Sequence, residues 1–71
     1  MSDSVYKVIE LIGTSENSWE EAARNAIATA SKTLKELRVA EVVSLDMQLD
    51  DGKVVRYRAK IKVSFKYLEK E

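Results

Sequence analysis

The chain has 71 residues, a formal net charge of zero from twelve basic and twelve acidic side chains, and neither cysteine nor histidine. One domain over residues 1–71 is expected; it would bury only about 60 % of its unfolded surface, so a disulfide, a metal or oligomerisation has to help it. The composition excludes disulfides and thiolate chemistry, removes the commonest general base and transition-metal ligand, and argues against a dedicated nucleic-acid partner.

No apolar run approaches the roughly 20 residues of a membrane span, and the opening MSDSVYKV does not have the pattern of a signal peptide. The expectation is a soluble cytoplasmic protein with no membrane partner. Oligomerisation is then the remaining source of stability.

Val5 to Ile12 reads as a strand with both faces largely apolar, followed by a turn over Gly13 to Asn17. Ser18 opens a helix, because Ser18 and Glu21 have capping-box spacing. Glu20 and Glu21 suit the positive end of the helix dipole, and Lys32 and Lys35 the negative end. Trp19, Ala22, Ala23, Ala26, Ile27, Ala30, Leu34 and Leu37 recur at helical spacing as one apolar stripe. Its alanine-rich middle lets a sheet approach closely.

Arg38 to Leu49 alternates as a second strand, and Asp50-Asp51-Gly52 is a hairpin turn. Residues 53–67 follow with Val55, Tyr57, Ala59, Ile61, Val63, Phe65 and Tyr67 on one face and Arg56, Arg58, Lys60, Lys62 and Lys66 on the other. Straight, such a strand would be about 48 Å long, whereas a compact chain of this size is roughly 30 Å across. It has to curve around something or reach a neighbouring subunit.

Matching apolar faces across the hairpin pairs Leu49 with Val55, Met47 with Tyr57, Leu45 with Ala59 and Val43 with Ile61. It also sets Asp46 opposite Arg58 and Gln48 opposite Arg56, and requires an odd-length loop or a bulge. Glu41 then falls among apolar neighbours, where an interface salt bridge is its expected role, and Val39 and Arg58 fall on opposite faces. The predicted fold is α+β, β-α-β-β, with a three-stranded antiparallel sheet of order 1-3-2 around one helix.

The cationic face of the last strand is read as solvated or lumenal, with phosphate binding as its functional alternative. Tyr57 and Tyr67 lie on the other face, unlike a nucleic-acid stacking platform. Asp46, Asp50 and Asp51 are candidate ligands for a hard cation such as Ca²⁺, gathered from several chains at a symmetry axis; their ordinary roles are turn formation and ion pairing. Thr14 and Ser15 have no histidine to activate them. No catalytic constellation is present, and no enzyme is expected.

The opening strand with Gly13-Thr14-Ser15, the helix start Ser18-Trp19-Glu20-Glu21-Ala22-Ala23, Ala40-Glu41-Val42-Val43, and Val63-Ser64-Phe65 together resemble the dodecin family, from about Val5 to Tyr67. The resemblance implies a sheet wrapped around one helix, twelve copies in a hollow cubic shell, and flavins held in pairs between subunits by an aromatic sandwich. It also implies a binding protein rather than an enzyme. Three positions matching the family's flavin site depart from it. Val39 stands where the stacking tryptophan is found, Arg58 where a glutamine holds the flavin ring, and Ser44 where a carboxylate approaches the ribityl chain. Trp19, at the helix start, is not the stacking residue. The expected function is flavin-type small-ligand binding and storage by a homododecamer with an altered site for FMN or another flavin. The alternatives are a calcium- or phosphate-ligand-binding shell, or a purely structural assembly with a vestigial pocket.

Overall fold

The structure, a computed structural model, describes the backbone of residues 3–70 and the side chains of residues 5–66. Strand β1 (Asp3–Ser15), helix α1 (Trp19–Ala30), strand β2 (Leu37–Asp50) and strand β3 (Lys53–Lys70) follow in that order. β3 lies between the other two and is antiparallel to both, giving the expected order β1-β3-β2. The side chain of Tyr67, expected on the apolar face of β3, lies outside the described residues.

β3 does not fold back into a globule. The chain measures 56 × 20 × 13 Å with a radius of gyration of 14.9 Å, against about 11 Å for a compact chain of this length. It exposes 5430 Å², about 900 Å² more than the roughly 4,500 Å² expected of a compact monomer of its mass.

β1 is longer than its local sequence predicts. Gly13, Thr14 and Ser15, expected in the turn, pair with Ala59, Arg58 and Tyr57. The long central strand offers ladder hydrogen bonds there, and they outweigh the turn preference of these residues.

The helix start is half as expected. Ser18 is the N-cap, with extended backbone angles, and its Oγ accepts the Glu21 backbone N–H at 3.0 Å. Glu21 does not complete a capping box. Its carboxylate instead accepts from the Ser15 hydroxyl and, at 2.8 Å, from the Asn17 amide. Ser15 Oγ in turn accepts the Asn17 and Ser18 backbone N–H groups.

α1 ends at Ala30, short of the expected stripe through Leu37. Ser31 Oγ donates to the Ala28 carbonyl, and Thr33 and Leu34 both donate to Ala30, so the ladder tightens and stops. Lys32 and Lys35 therefore lie beyond the helix, and no basic residue occupies its last turn. Leu37 becomes the first residue of β2.

Ala22, Ala26 and Ala30 are buried against the sheet, where Ala59, Ile61 and Val63 of β3 are almost fully buried. Full burial of Ile61 and Val63 contributes about 1.5–3 kcal/mol each. The helix comes so close to β1 that a Cβ on Gly13 would lie 1.9 Å from the Ala22 carbonyl oxygen and 2.9 Å from Ala26 Cβ. Only glycine fits there. At the helix start Trp19 meets Tyr57 edge to face at 5.0 Å and donates its indole N–H to the Asp46 carbonyl at 2.9 Å. α1 thus lies mainly over β1 and β3 and touches β2 only sparsely, so that the helix-side residues Val42, Leu45 and Met47 remain 54, 50 and 46 % exposed.

The hairpin closes with a two-residue turn, Asp51 and Gly52, both at positive φ (51° and 76°) as a type I′ turn requires. Asp50 pairs with Lys53 and Leu49 with Val54; a bulge at Val55 then restores the face-matching register from Gln48–Arg56 to Leu45–Ala59. The expected Leu49–Val55 pair is therefore replaced by Leu49–Val54. The expected Val43–Ile61 pair is also absent, because Val43 bulges out and Val42 pairs with Ile61. That extra residue reverses the alternation of the first half of β2. Glu41 consequently stands opposite Lys62, not among apolar neighbours.

Replacing Gly13 by alanine should cost about 3 kcal/mol or more, the upper end of overpacking penalties. A lowered urea midpoint at fixed protein concentration would register it, and a midpoint within error of the parent would refute the close contact.

Candidate functional site

The helix-free face of the sheet gathers the residues of interest. From β2 it carries Val39, Glu41, Ser44, Asp46 and Gln48, opposite Ser64, Lys62, Lys60, Arg58 and Arg56 of β3. Val39, Ser44 and Arg58 therefore share one face, contrary to the expectation that Val39 and Arg58 lie on opposite faces. The Val43 bulge is the cause. Val39 is 63 % exposed, and its carbonyl accepts from Ser64 Oγ at 3.5 Å. Ser64 and Arg58 are about 20 Å apart along β3.

Arg58 is not a free cation. Its Nε and Nη2 donate to the two carboxylate oxygens of Asp46 at 2.7 and 3.0 Å, a bidentate pair. These hydrogen bonds hold the Asp46 carboxyl below its ordinary range and raise the Arg58 guanidinium above its own. Both side chains are about half exposed, so the pair fixes geometry more than it stabilises the fold.

Three further cations of the stripe lie near carboxylates, more loosely. Arg56 lies 3.9 Å from Glu16, and Lys60 4.0 Å from Glu10. Lys62 is flanked in register by Glu10 on β1 and Glu41 on β2. With four of its five cations beside carboxylates, this face presents a reduced positive potential to a phosphate or a nucleic acid. Glu10 and Glu16 carried no functional signal in the sequence, because strand pairing sets the partner of the first and the β1–α1 turn places the second.

Of the candidate cation ligands, Asp46 is committed to Arg58, while Asp50 and Asp51 stand exposed at the hairpin tip. The structure does not bring the three together as one site. Among the described residues no group of three or more acidic side chains is placed to hold a metal ion. Calcium takes six to eight oxygen ligands, and Asp50 and Asp51 are two carboxylates toward that number.

The turn between β1 and α1 holds a second polar cluster. Ser15 is buried, and its hydrogen bond to Glu21, with that from Asn17, lowers the Glu21 pKa; Arg24 adds to this by its charge. Its role is to terminate β1 and seat the helix. Nothing activates the Ser15 hydroxyl as a nucleophile, since its proton is directed at a carboxylate already engaged by Asn17.

Comparison with known proteins accounts for this arrangement. Residues 5–68 match the family model described as Dodecin. The chain belongs to the dodecin family. It is 49 % identical over 63 residues to calcium dodecin of Mycobacterium tuberculosis, covering 89 % of each chain, and 38 % identical over 65 residues to dodecin of Thermus thermophilus, covering 92 and 94 %. The dodecin structure from Streptomyces coelicolor superposes with a TM-score of 0.89 at 37 % identity, over 96 % of this chain and 97 % of that one. The M. tuberculosis calcium dodecin structure, that of a calcium-chelating immunodominant antigen with a novel calcium-binding site, superposes with a TM-score of 0.83 at 48 % identity, over 92 and 93 %. The dodecin fold thus carries this chain's helix, hairpin and long central strand. Among the described residues no helix is long and apolar enough to cross a membrane.

Two carboxyls report on the geometry by titration. Both have depressed folded-state pKa values, so their contribution to stability is present above the ordinary carboxylate range and is lost as pH falls through the folded value. Carboxylate NMR titration should show Ser15→Ala moving Glu21 back up toward an ordinary value without moving Asp46, and Arg58→Gln doing the converse. Movement of both by either variant would contradict two separate clusters.

Proposed function

We propose that this dodecin is a non-enzymatic small-ligand binding and storage protein that works as a hollow homododecamer, with its flavin-type pocket altered and calcium favoured as the ligand. The observation that carries this reading is the state of the pocket face. Val39 offers an isopropyl group where the family resemblance places a stacking ring, and the Arg58 guanidinium is already bound by Asp46. A flavin would lose its aromatic partner, worth about 0.5–1.5 kcal/mol beyond area burial for each pair, and would have to displace an ion pair to reach Arg58.

Two further points support calcium. Identity is higher to calcium dodecin than to the T. thermophilus dodecin. The oxygen donors at Asp50 and Asp51 have the hard chemistry calcium selects, and copies meeting at a symmetry axis would supply the number that one chain lacks. The assembly reading rests on exposed apolar surface on both sides of a thin sheet and on what the family resemblance implies. A cytoplasmic working place fits the absence of cysteine.

Light scattering should give a mass near twelve chains; a stable monomer would refute the assembly. Calcium should raise the unfolding temperature, and Asp50→Asn/Asp51→Asn should abolish that rise. Flavin fluorescence should go unquenched at low micromolar protein. Val39→Trp with Arg58→Gln should then strengthen flavin binding on the order of tenfold, as one aromatic contact predicts. Yellow purified protein, or flavin quenching without a calcium effect, would replace calcium by flavin.

A further inference from the structure

Asp46 is held from both sides of the sheet. On the helix-free face its carboxylate takes two hydrogen bonds from Arg58, at 2.7 and 3.0 Å. From the helix side, the Trp19 indole N–H donates to its backbone carbonyl at 2.9 Å. The same indole meets the ring of Tyr57 edge to face at 5.0 Å, and Tyr57 directly precedes Arg58 in β3. Trp19 therefore touches the backbone of one member of the ion pair and the chain neighbour of the other. Strand alternation explains how. Tyr57 points to α1 and the side chains of Arg58 and Asp46 point away from it, whereas a backbone carbonyl lies near the plane of the sheet, within reach of either side.

We infer that Trp19 is a positioning residue for the Asp46–Arg58 pair, and that through this pair it keeps the Arg58 guanidinium from an anionic ligand on the helix-free face. This deepens the altered-pocket reading proposed above and rests on it for the identity of the pocket face. Trp19 does not reach that face; it acts through Asp46. A half-exposed ion pair is ordinarily loose, because two side chains give up rotamer freedom to hold one geometry. Fixing the Asp46 backbone removes part of that freedom beforehand, so that two guanidinium nitrogens meet two oxygens. The edge-to-face contact with Tyr57 in turn holds the indole where it can donate. The charges facing the Asp46 carboxylate are Arg58 and Lys60 of β3. Arg56 lies one pair further along, beside Glu16. Ser44 and Gln48, which flank Asp46 on its own strand face, are uncharged, and α1 brings to Asp46 the uncharged indole.

Trp19 is the chain's single tryptophan, so its indole N–H gives one resonance in a nitrogen–proton correlation spectrum. In the parent chain that resonance should shift as pH falls through the folded value of Asp46, when the carboxylate protonates and releases Arg58. Arg58→Gln should move the step to higher pH and Asp46→Asn should abolish it. Ser15→Ala, which acts on Glu21 of the same helix, should leave it in place. In the other direction, Trp19→Phe keeps a ring against Tyr57 and loses the N–H. It should raise the Asp46 carboxyl pKa and leave Glu21 unmoved. It should also let inorganic phosphate shift the Arg58 Nε–H resonance at a concentration about threefold lower than in the parent, as loss of one ordinary hydrogen bond predicts. An indole resonance that ignores Asp46→Asn, or Asp46 unmoved in Trp19→Phe, would overturn the positioning role. So would Asp46 and Glu21 moving together, as a merely loosened helix start predicts. An equal phosphate response in parent and Trp19→Phe would overturn the restraint on Arg58. None of these readouts uses calcium or flavin, so a parent chain that quenches flavin would overturn the altered-pocket reading while the indole titration still decides the role of Trp19.

Discussion

A helix too short for its sheet sets the terms for the whole structure. α1 has 12 residues, about 18 Å of helix, and it lies on a sheet whose central strand has 18. The helix is held by close backbone approach at Gly13 and small side chains along its middle, with the Trp19–Tyr57 contact at its start. Alanine on alanine brings the two layers together but contributes little apolar area per residue. Among the described residues the largest fully buried side chains are Ile61 and Val63. What the helix cannot cover, including Val42, Leu45 and Met47 of β2, stays in contact with water in a single chain.

The second organising device is the bulge. β2 and β3 are out of step at three places, and each extra residue reverses which side chains face the helix. Near the turn, the Val55 bulge reconciles a two-residue Asp-Gly hairpin with the face-matching register. At Val43, the bulge turns Glu41 toward Lys62 and brings Val39 onto the face of Ser44 and Arg58. One additional residue thus decides the composition of the candidate pocket face. It also removes a buried carboxylate from an apolar layer, where it would have been costly.

Electrostatics on that face are local. The five-cation stripe of β3 reads in the sequence as a solvated or lumenal face, with phosphate binding as its functional alternative. Strand pairing and the β1–α1 turn instead supply Glu10, Glu16, Glu41 and Asp46 beside its members. The guanidinium of Arg58 is held by both oxygens of Asp46, and four of the five cations of the stripe lie beside carboxylates.

Period-two alternation in β3, helical spacing from Trp19 to Ala30 and the Asp-Gly turn were enough to determine element order, sheet order and the Asp46–Arg58 pair from the sequence. These are local patterns, or pairings a few residues from a turn, where register is strongly constrained. The Ser18 cap was legible for the same reason. Tertiary structure alone decided where β1 and α1 end, because a long partner strand extends pairing through Gly13–Ser15 and a serine side chain stops the helix ladder. It alone decided the face of Val39 and Glu41, since the Val43 bulge leaves no mark in residue type. The partners of Arg56, Lys60 and Lys62 were set the same way, across strands distant in sequence. A one-residue slip in register changes every such neighbour while leaving the sequence pattern intact.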